Sequence, residues 1–371
     1  MDANKEEFSV IDHMESRRKD GEHNPLTATF ELTQKCNLRC CHCYLEHRQE
    51  GSELPASRWL AFIDEVADFG AYFASFTGGE VFLRPDLLEI ARCALKRGIF
   101  FQFQTNGTYI DAEMAAVIQD LQPTKVEISI YGPNGAIHDR ITGIRGSFDK
   151  SMRAIELLRK RNINVILKAS VMPENKNHVQ AMRKLADDAG LWIMFDANIM
   201  PGVFGSEKPL TYRMNNDEYR DYMIAENWGN APGKELQHIR DDISRPDRRV
   251  LCTAAKKRFT ITAIGEIIPC PIWRQSCGSL LDQSLASIWY GEKMTEMRKL
   301  KFEDLKNCAS CKTYESCTRC AGLAFLESGD YRSCPQESLR VSSLLNQLRA
   351  EKQKSSNNDS DISSPGPGHD E

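Results

Sequence analysis

Cys36–Cys43 reads CNLRCCHC and places four cysteines in eight residues, directly after the segment TATFELT at residues 27–33. The alternation of apolar and polar residues in that segment predicts a β-strand, so the cysteines lie in the loop that follows it. Three of the thiols have the spacing C-x3-C-x2-C and can hold three irons of a 4Fe–4S cluster, which leaves the fourth iron open: Cys36, Cys40 and Cys43. The alternative is a structural zinc site, which normally has four closed ligands.

The composition favours metal chemistry in a soluble protein. The chain has 371 residues, of which 41% are hydrophobic, and this is enough for two domains. A net charge of -4 gives no basic footprint for nucleic acid, and the charged N-terminus lacks a signal-peptide centre. We therefore expect a cytoplasmic protein with no nucleic-acid or membrane partner. In a reducing compartment the thirteen cysteines favour metal binding or catalysis over disulfides.

Between residues 27 and 200, six β-rich segments alternate with helical patterns. The predicted strands are 27–33, 72–78, 100–105, 125–131, 164–171 and 191–197. This alternation predicts an α/β fold of parallel strands with crossover helices. Because a complete eight-fold barrel needs about 250 residues, we expect a partial (β/α)6 TIM-like barrel or an open sheet. In both arrangements, the loops after the strands gather on one face and carry the chemistry.

The remaining segments differ in composition from this core. We expect the following organisation: a polar N-terminal extension over 1–26, the barrel over 27–200, a helical connector over 201–250, a cysteine-rich module over 251–336, a helix over 337–354 and a disordered tail over 355–371.

The segment CNLRCCHC resembles the cluster motif of the radical S-adenosylmethionine (SAM) enzymes, with His42 at a position that is usually aromatic. The resemblance implies that SAM binds the open iron and is cleaved to a 5′-deoxyadenosyl radical, which abstracts a hydrogen atom from the substrate. After the second strand, Gly78, Gly79 and Glu80 match the family's GGE motif, which receives the methionine ammonium group. An ordinary strand-to-helix turn is the alternative for these three residues.

The ends of later strands supply weaker candidates. By the same resemblance, Asn106 positions the cofactor or shapes the pocket, and Ser129 hydrogen-bonds the ribose. Lys168 faces the SAM carboxylate or an acidic substrate, unless it is an ion-paired or solvated lysine. Asp196 is a candidate acid or base only because it lies near the end of the sixth strand, and a structural aspartate is the alternative.

A second group of cysteines begins at Cys252. Cys252 and Cys270 flank a predicted hairpin with its turn at Gly265, in the pattern C-x12-G-x4-C. The later thiols form C-x2-C-x5-C-x2-C with one more cysteine beyond: Cys308, Cys311, Cys317, Cys320 and Cys334. Taken alone, these thiols could bind two zinc ions, as in a zinc ribbon.

Behind a radical SAM barrel, this pattern resembles the SPASM domain, which holds two auxiliary 4Fe–4S clusters. The resemblance assigns an outer cluster to Cys308, Cys311, Cys317 and Cys334, and an inner cluster to Cys252, Cys270 and Cys320. The gap before Cys320 is one residue shorter than in the family. Cys277 completes the inner cluster, or that cluster keeps an open iron.

SPASM-bearing enzymes mostly act on peptides or proteins, and the segment that begins KVEISIYGP at Lys125 resembles the peptide-maturase branch. We therefore expect oxidative maturation of a ribosomally made peptide, by cross-link or thioether formation. Alternatives are formylglycine formation in sulfatases, synthesis of a peptide-derived cofactor, or a non-catalytic zinc protein. A reductant such as flavodoxin or ferredoxin is expected as a partner. Since 26 residues precede the barrel, a separate leader-peptide-binding protein is also expected, unless the barrel itself recognises the precursor.

Overall fold

The structure is a computed structural model that describes residues 25–45, 53–226 and 252–361, with the side chains of residues 315 and 353–361 left out. All predicted site residues lie within these ranges. Most of the expected N-terminal extension, the second half of the expected connector and the end of the expected tail lie outside the described residues.

Six parallel strands form the predicted partial barrel. They are β1 Thr27–Thr33, β2 Phe73–Gly78, β3 Phe100–Thr105, β4 Lys125–Ser129, β5 Val165–Ser170 and β6 Trp192–Asp196. Each strand pairs in parallel with the next one in sequence. Among the described strands, β6 pairs with β5 alone, so it is an edge and the barrel is open on that side.

Helices connect these strands and cover the outer face of the sheet. They are α1 Ala56–Asp68, α2 Leu87–Lys96, α3 Ala112–Leu121, α4 Gly135–Thr142, α5 Ser147–Arg159 and α6 Val179–Asp188. Local signals define their ends: the carboxylate of Asp111 accepts a hydrogen bond from the amide of Met114 and caps α3. Gly98, at φ +72°, follows the end of α2.

The cysteine-rich module continues the same sheet. β7 Arg258–Ile261 pairs in parallel with β1, and β8 Glu266–Ile268 returns antiparallel to β7 through a turn at Gly265. β9 Gly278–Ser279 pairs with β8. The predicted hairpin is therefore present, and it also extends the barrel sheet beyond β1.

The C-terminal part adds helices around this extension. They are α7 Asn216–Ala225, α8 Leu285–Trp289, α9 Glu292–Lys299, α10 Ala321–Ser328 and α11 Gln336–Asp361. α7 begins with a capping box between Asn215 and Glu218. α11 continues past residue 354 into the segment that the sequence analysis treats as disordered. Within the part of the chain that the structure describes, no helix has the length and apolar character needed to cross a bilayer.

One hydrophobic core joins the barrel to the cysteine-rich module. Phe30 of β1 contacts Trp59 of α1 and Phe76 of β2, at ring-centroid distances of 6.3 and 5.5 Å. Phe259 of β7 is fully buried and packs against Trp289 of α8 at 5.8 Å. Because these side chains belong to the same buried cluster, the two parts of the chain share one core.

Candidate functional site

A cavity of about 470 Å³ opens at the carboxyl ends of the barrel strands, where the sequence predicts the chemistry. The predicted site residues that line it are Cys36, Cys40, Cys43, Gly78, Gly79, Asn106, Ser129, Lys168 and Asp196. The structure thus brings nearly all the predicted residues of the barrel to one cavity.

The loop with the three predicted cluster thiols is anchored to the end of α4. The amides of Arg39 and Cys41 donate to the carbonyls of Thr142 and Ile141, at 2.8 and 3.0 Å. Within the loop, the amide of Leu38 donates to Cys36 Sγ at 3.4 Å. These backbone contacts hold the loop in place without using the thiols of Cys40 or Cys43.

Cys41 points away from the other three thiols of the motif. Its Sγ lies 4.0 Å from Met172 Sδ, and the side chain packs against the buried Ile141, Met172 and Ile199. Burial raises the pKa of the Cys41 thiol to about 11, and the charge of Glu174 adds to this effect. The structure therefore leaves three thiols, and not four, at the cavity.

The two glycines of the GGE motif permit a close backbone contact with the segment before Cys36. The amide of Gly79 donates to the Thr33 carbonyl at 2.9 Å, and the amide of Glu80 donates to the Lys35 carbonyl at 2.8 Å. A Cβ at position 78 would lie 2.2 Å from the Thr33 carbonyl oxygen, and one at 79 would lie 2.2 Å from that of Lys35. The glycines thus fix the cysteine loop as well as lining the cavity.

Glu80 lies beneath the cavity and ties the end of β2 to the end of β3. The side chain is fully buried and accepts hydrogen bonds from Thr105 Oγ1 at 2.6 Å, the Asn106 amide at 2.7 Å and the Phe82 amide at 3.1 Å. Burial raises the pKa of the carboxyl group, while these three hydrogen bonds oppose the rise. Glu80 thus has the structural role expected of a residue in a strand-to-helix turn, and its side chain in addition links this turn to the end of β3.

Asn106 belongs to a polar network beside Cys36. Its Nδ2 lies 3.9 Å from Cys36 Sγ and donates to Asn37 Oδ1 at 2.9 Å, and its Oδ1 accepts from the Thr108 amide at 2.9 Å. Asn37 Nδ2 donates to Thr108 Oγ1 at 2.8 Å and closes the network. The sequence analysis missed Asn37 and Thr108, although both are neighbours of predicted site residues.

Lys168 is ion-paired, as in the second of the two roles expected for it from the sequence. Its Nζ lies 2.9 Å from Glu127 Oε2, while Lys125 Nζ lies 2.7 Å from Glu127 Oε1. Burial alone raises the pKa of Glu127, but the hydrogen bonds and charges of the two lysines outweigh it and leave the pKa lowered. Glu127, the middle residue of β4, also lines the cavity and was not predicted as a site residue.

Tyr131 lies between two histidines at the end of β4. Its ring is 4.7 Å from the ring of His42 and 5.7 Å from that of His138. Burial raises the pKa of the Tyr131 hydroxyl, and so do the nearby thiols of the three cluster cysteines, while a hydrogen bond with Ser129 opposes the rise. Burial lowers the pKa of His42 to about 4, so its ring is neutral. Tyr131 and the three cysteines all line the same cavity.

Asp196 is exposed at the edge strand. Its Oδ1 accepts two hydrogen bonds from Asn198, from the amide and from Nδ2, both at 2.9 Å. The structure places the carboxylate at the cavity but gives it no partner that would mark it as an acid or a base.

Two of the thiols predicted for the inner auxiliary cluster accept hydrogen bonds from backbone amides of their own segments. Cys270 Sγ accepts from the Trp273 amide at 3.2 Å, and Cys320 Sγ accepts from the Leu323 amide at 3.4 Å. Burial raises the pKa of Cys270 to about 12, and the nearby thiols of Cys252 and Cys320 contribute.

Two of the four thiols predicted for the outer cluster belong to one turn. The amide of Cys311 donates to the Cys308 carbonyl at 3.2 Å in a tight turn. Burial raises the pKa of Cys317 to about 11, opposed by a hydrogen bond from Ser342 and supported by the thiols of Cys334, Cys308 and Cys311.

Cys277 faces a different environment. Its Sγ lies 3.6 Å from the Gln275 carbonyl oxygen. Burial raises the pKa of its thiol to about 12, and the charges that act on it are those of Lys293 and Arg298, not those of other cysteines. Lys293 Nζ also donates to the carbonyl of the adjacent Ser276 at 2.8 Å, so the described surroundings of Cys277 are basic.

The donor sets fit the cofactors that the sequence implies. Neighbouring buried thiols raise each other's pKa, and bound iron is the kind of partner that stabilises them as thiolates. Within the described ranges, no three His, Cys, Asp or Glu side chains converge tightly enough for a single metal ion. A 4Fe–4S cluster takes its thiolates on separate irons, so its ligands need not converge on one point.

Two family models match the two parts of the chain that carry these cysteines. The Radical SAM superfamily matches residues 30–186, and the SPASM iron-sulfur cluster-binding domain matches residues 252–321. The AdoMet-dependent heme synthase of Methanosarcina barkeri is 27% identical over 83% of this chain and 94% of its own length. The antilisterial bacteriocin subtilosin biosynthesis protein AlbA of Bacillus subtilis is 29% identical over 71% of this chain and 59% of its own length.

A solved structure has the same fold. Native anSMEcpe with bound AdoMet and Cp18Cys peptide superposes with a TM-score of 0.67 at 19% identity, over 88% of this chain and 98% of that one. The two matched families imply the cofactors that the sequence predicts, namely 4Fe–4S clusters and S-adenosylmethionine. The chain is therefore a radical SAM enzyme whose C-terminal part is a SPASM domain.

Proposed function

We propose that this enzyme oxidatively matures a ribosomally made peptide by forming a cross-link or a thioether bond. The observation that carries the proposal is the open side of the barrel at β6. Met194 and Asp196 line the cavity from this edge strand, and Trp192 on the same face is 60% exposed. A substrate much longer than the cavity can therefore reach it from the side while its remaining residues stay outside.

In this proposal, three separate sets of cysteines bind the three clusters. Cys36, Cys40 and Cys43 bind the SAM-binding cluster at the cavity. The inner auxiliary cluster is bound by Cys252, Cys270 and Cys320, and the outer one by Cys308, Cys311, Cys317 and Cys334. Since Cys277 faces Lys293 and Arg298, we assign it no cluster, so the inner cluster has one iron without a cysteine ligand.

When bound, the first cluster and SAM supply a 5′-deoxyadenosyl radical for hydrogen abstraction. The chain's own residues position these groups and exclude water. Backbone at Gly78 and Gly79 lines the cavity where the methionine group binds, and Asn106 orients the loop at Cys36. Ser129 is the ribose contact. Lys168, held by Glu127, presents a positive charge for the SAM carboxylate or an acidic substrate group.

The partners follow from this chemistry. A one-electron reductant such as flavodoxin or ferredoxin supplies the electron to the first cluster, and a precursor peptide is the substrate. The likeness to the subtilosin biosynthesis protein supports a peptide substrate.

The test begins with the enzyme reconstituted with iron and sulfide under anaerobic conditions. With dithionite and SAM it should form 5′-deoxyadenosine, and the C36A/C40A/C43A variant should not. Short peptides encoded beside the gene are then added as substrates. A peptide product that has lost two hydrogen atoms supports the proposal. C317A should stop this product while 5′-deoxyadenosine still forms.

A second candidate is heme synthesis, favoured by the match to a heme synthase along almost its entire length. Another relative is an Fe-coproporphyrin III synthase, so iron-coproporphyrin III is a suitable porphyrin to test. Faster 5′-deoxyadenosine formation with this probe, together with heme as the product and no reaction with the peptides, would replace the first proposal by the second.

A further inference from the structure

One buried ion pair joins the two parts of the chain that carry the cysteines. Arg274 Nη1 lies 2.7 Å from Glu31 Oε1 and 2.8 Å from Glu31 Oε2. Glu31 is only 2% exposed, and the Arg274 side chain is 11% exposed. The two residues are 243 positions apart in sequence, so this is a contact between β1 of the barrel and the loop after β8.

Each partner is attached to a cysteine loop. Glu31 lies on β1, which leads directly into the loop that begins at Cys36. Arg274 follows Cys270 by four residues, and its Nη1 also donates to the Pro271 carbonyl at 3.3 Å. The amide of the neighbouring Trp273 donates to Cys270 Sγ. The guanidinium thus holds the same short loop that presents the Cys270 thiol.

Tyr44 is influenced both by the ion pair and by the predicted cluster cysteines. Its side chain lines the barrel cavity. Burial raises the pKa of its hydroxyl, Glu31 and the thiols of Cys43 and Cys270 raise it further, and Arg274 lowers it. The pKa of this hydroxyl thus responds to the ion pair and to one cysteine of each predicted cluster site.

We propose that Glu31 sets the reduction potential of the inner auxiliary cluster by neutralising the charge of Arg274, which lies in the loop that presents the Cys270 thiol. The inference rests on the proposed function, because it requires the inner cluster at Cys252, Cys270 and Cys320. Arg274 holds the Cys270 loop against β1, and Glu31 cancels a positive charge that would otherwise favour the reduced cluster. Breaking a buried ion pair from one side leaves an uncompensated charge.

The experiment uses the full chain in a C36A/C40A/C43A background, which lacks the first cluster, so that the auxiliary clusters are observed alone. Their midpoint potentials are measured by redox titration with electron paramagnetic resonance detection. Adding C308A identifies the signal of the outer cluster. The variants are E31Q, R274M and E31Q/R274M. The control is E156Q, which breaks the exposed pair between Glu156 and Lys160 on α5.

In E31Q, we expect the reduced-to-oxidised ratio of the inner cluster at a fixed potential to rise at least tenfold, about 59 mV for a one-electron couple. R274M should not raise this ratio, and the double variant should return to the background value. The outer cluster and the E156Q control should not change. A purely structural role would move both single variants in the same direction, and that result would overturn the inference, as would an unchanged E31Q.

Loss of iron gives equally clear results. If E31Q does not retain the inner cluster but E31Q/R274M does, the unpaired guanidinium is the cause and the inference stands. If neither E31Q nor E31Q/R274M retains the inner cluster, the unpaired guanidinium is not the cause of the loss and the inference is wrong. If the background protein itself holds no auxiliary cluster, the cluster assignment of the proposed function fails together with the inference. Clusters that are present but do not respond to E31Q overturn the inference alone.

Discussion

Gly79 shows how a single residue fixes the cysteine loop. Its φ is not in the left-handed region, so the requirement for glycine is steric: a Cβ would lie 2.2 Å from the Lys35 carbonyl oxygen, which is backbone and cannot rotate away. The segment before Cys36 would have to move. The same contact explains why a glycine pair follows β2 at this distance from the cysteine motif.

We therefore expect G79A to lower the free energy of unfolding by about 1–3 kcal/mol, as overpacking does. It should also reduce iron binding at Cys36, Cys40 and Cys43. Denaturant unfolding and iron analysis measure the two effects. The control is G135A, since a Cβ at the first position of α4 has no neighbour closer than 3.6 Å. Equal stability of the two variants would contradict this explanation.

His138 links the stability of the barrel to pH. It is 1% exposed, its Nδ1 accepts from the Tyr131 amide at 3.1 Å, and its Nε2 has no partner among the described residues. Burial lowers the pKa of His138 to about 4 in the folded state, while Asp139 opposes the change. An ordinary histidine, as in the unfolded chain, has a pKa near 6.5.

Because the unfolded chain binds this proton more readily, stability is lost as pH falls from about 6.5 to about 4 and is unaffected above 6.5. The slope is about 1.4 kcal/mol per pH unit for one such histidine. H138N keeps a hydrogen-bond acceptor for the Tyr131 amide and removes the titration. Urea unfolding at a series of pH values should show a shallower slope in H138N by about this amount. An identical slope would mean that His138 is protonated in the folded protein.

At the scale of elements, β7 attaches the cysteine-rich module to the barrel. It pairs with β1 from Thr27↔Arg258 to Phe30↔Ile261, and Phe259 buries its ring against Trp289. The module therefore has no independent core to fold around, and its stability should depend on the barrel.

F259A should cost about 3–5 kcal/mol, as other buried phenylalanine truncations do. The matched control is F100A on β3, because Phe100 is 54% exposed and its truncation should change stability by about 0.5 kcal/mol or less. Urea unfolding of both variants measures the difference. If F259A were as stable as F100A, the shared core described above would not be the link between the two parts.

The strands of the barrel were predictable because their signals are local. Each of the six predicted segments overlaps its strand to within about two residues at either end, since alternation and bounding turns lie inside the segment itself. The pairing of β7 with β1 was not predictable, because a parallel contact between strands more than 200 residues apart has no local pattern. The sequence predicted the hairpin of β7 and β8, but it did not predict that β7 pairs with β1.

The site follows the same distinction. Residues at strand ends, such as Cys36 and Ser129, were placed correctly at the cavity because parallel strands bring their carboxyl ends together. Glu31 and Arg274 were missed because each looks like an ordinary charged residue in its own segment. Their importance comes from their mutual contact, which only the assembled fold provides.

At the scale of the whole molecule, the three sets of cysteines predict how many irons the enzyme binds. Cys277 is the informative position, because it belongs to the same sequence module as the auxiliary ligands while its thiol faces Lys293 and Arg298. If the groups are as proposed, the anaerobically reconstituted enzyme holds about twelve irons in three 4Fe–4S clusters. The number of irons lost on substitution should then differ from one cysteine to another.

C277A should keep all of this iron and cleave SAM at the rate of the unchanged enzyme. C36A/C40A/C43A should lose about four irons, and C317A should lose iron only from the outer cluster. Iron and sulfide analysis with electron paramagnetic resonance separates these cases. Loss of iron in C277A would make its thiol the fourth ligand of the inner cluster, and then the Cys270 loop must rearrange when iron binds. A chain that takes up zinc alone would instead contradict all three assignments at once, since zinc cannot supply the electron that SAM cleavage requires.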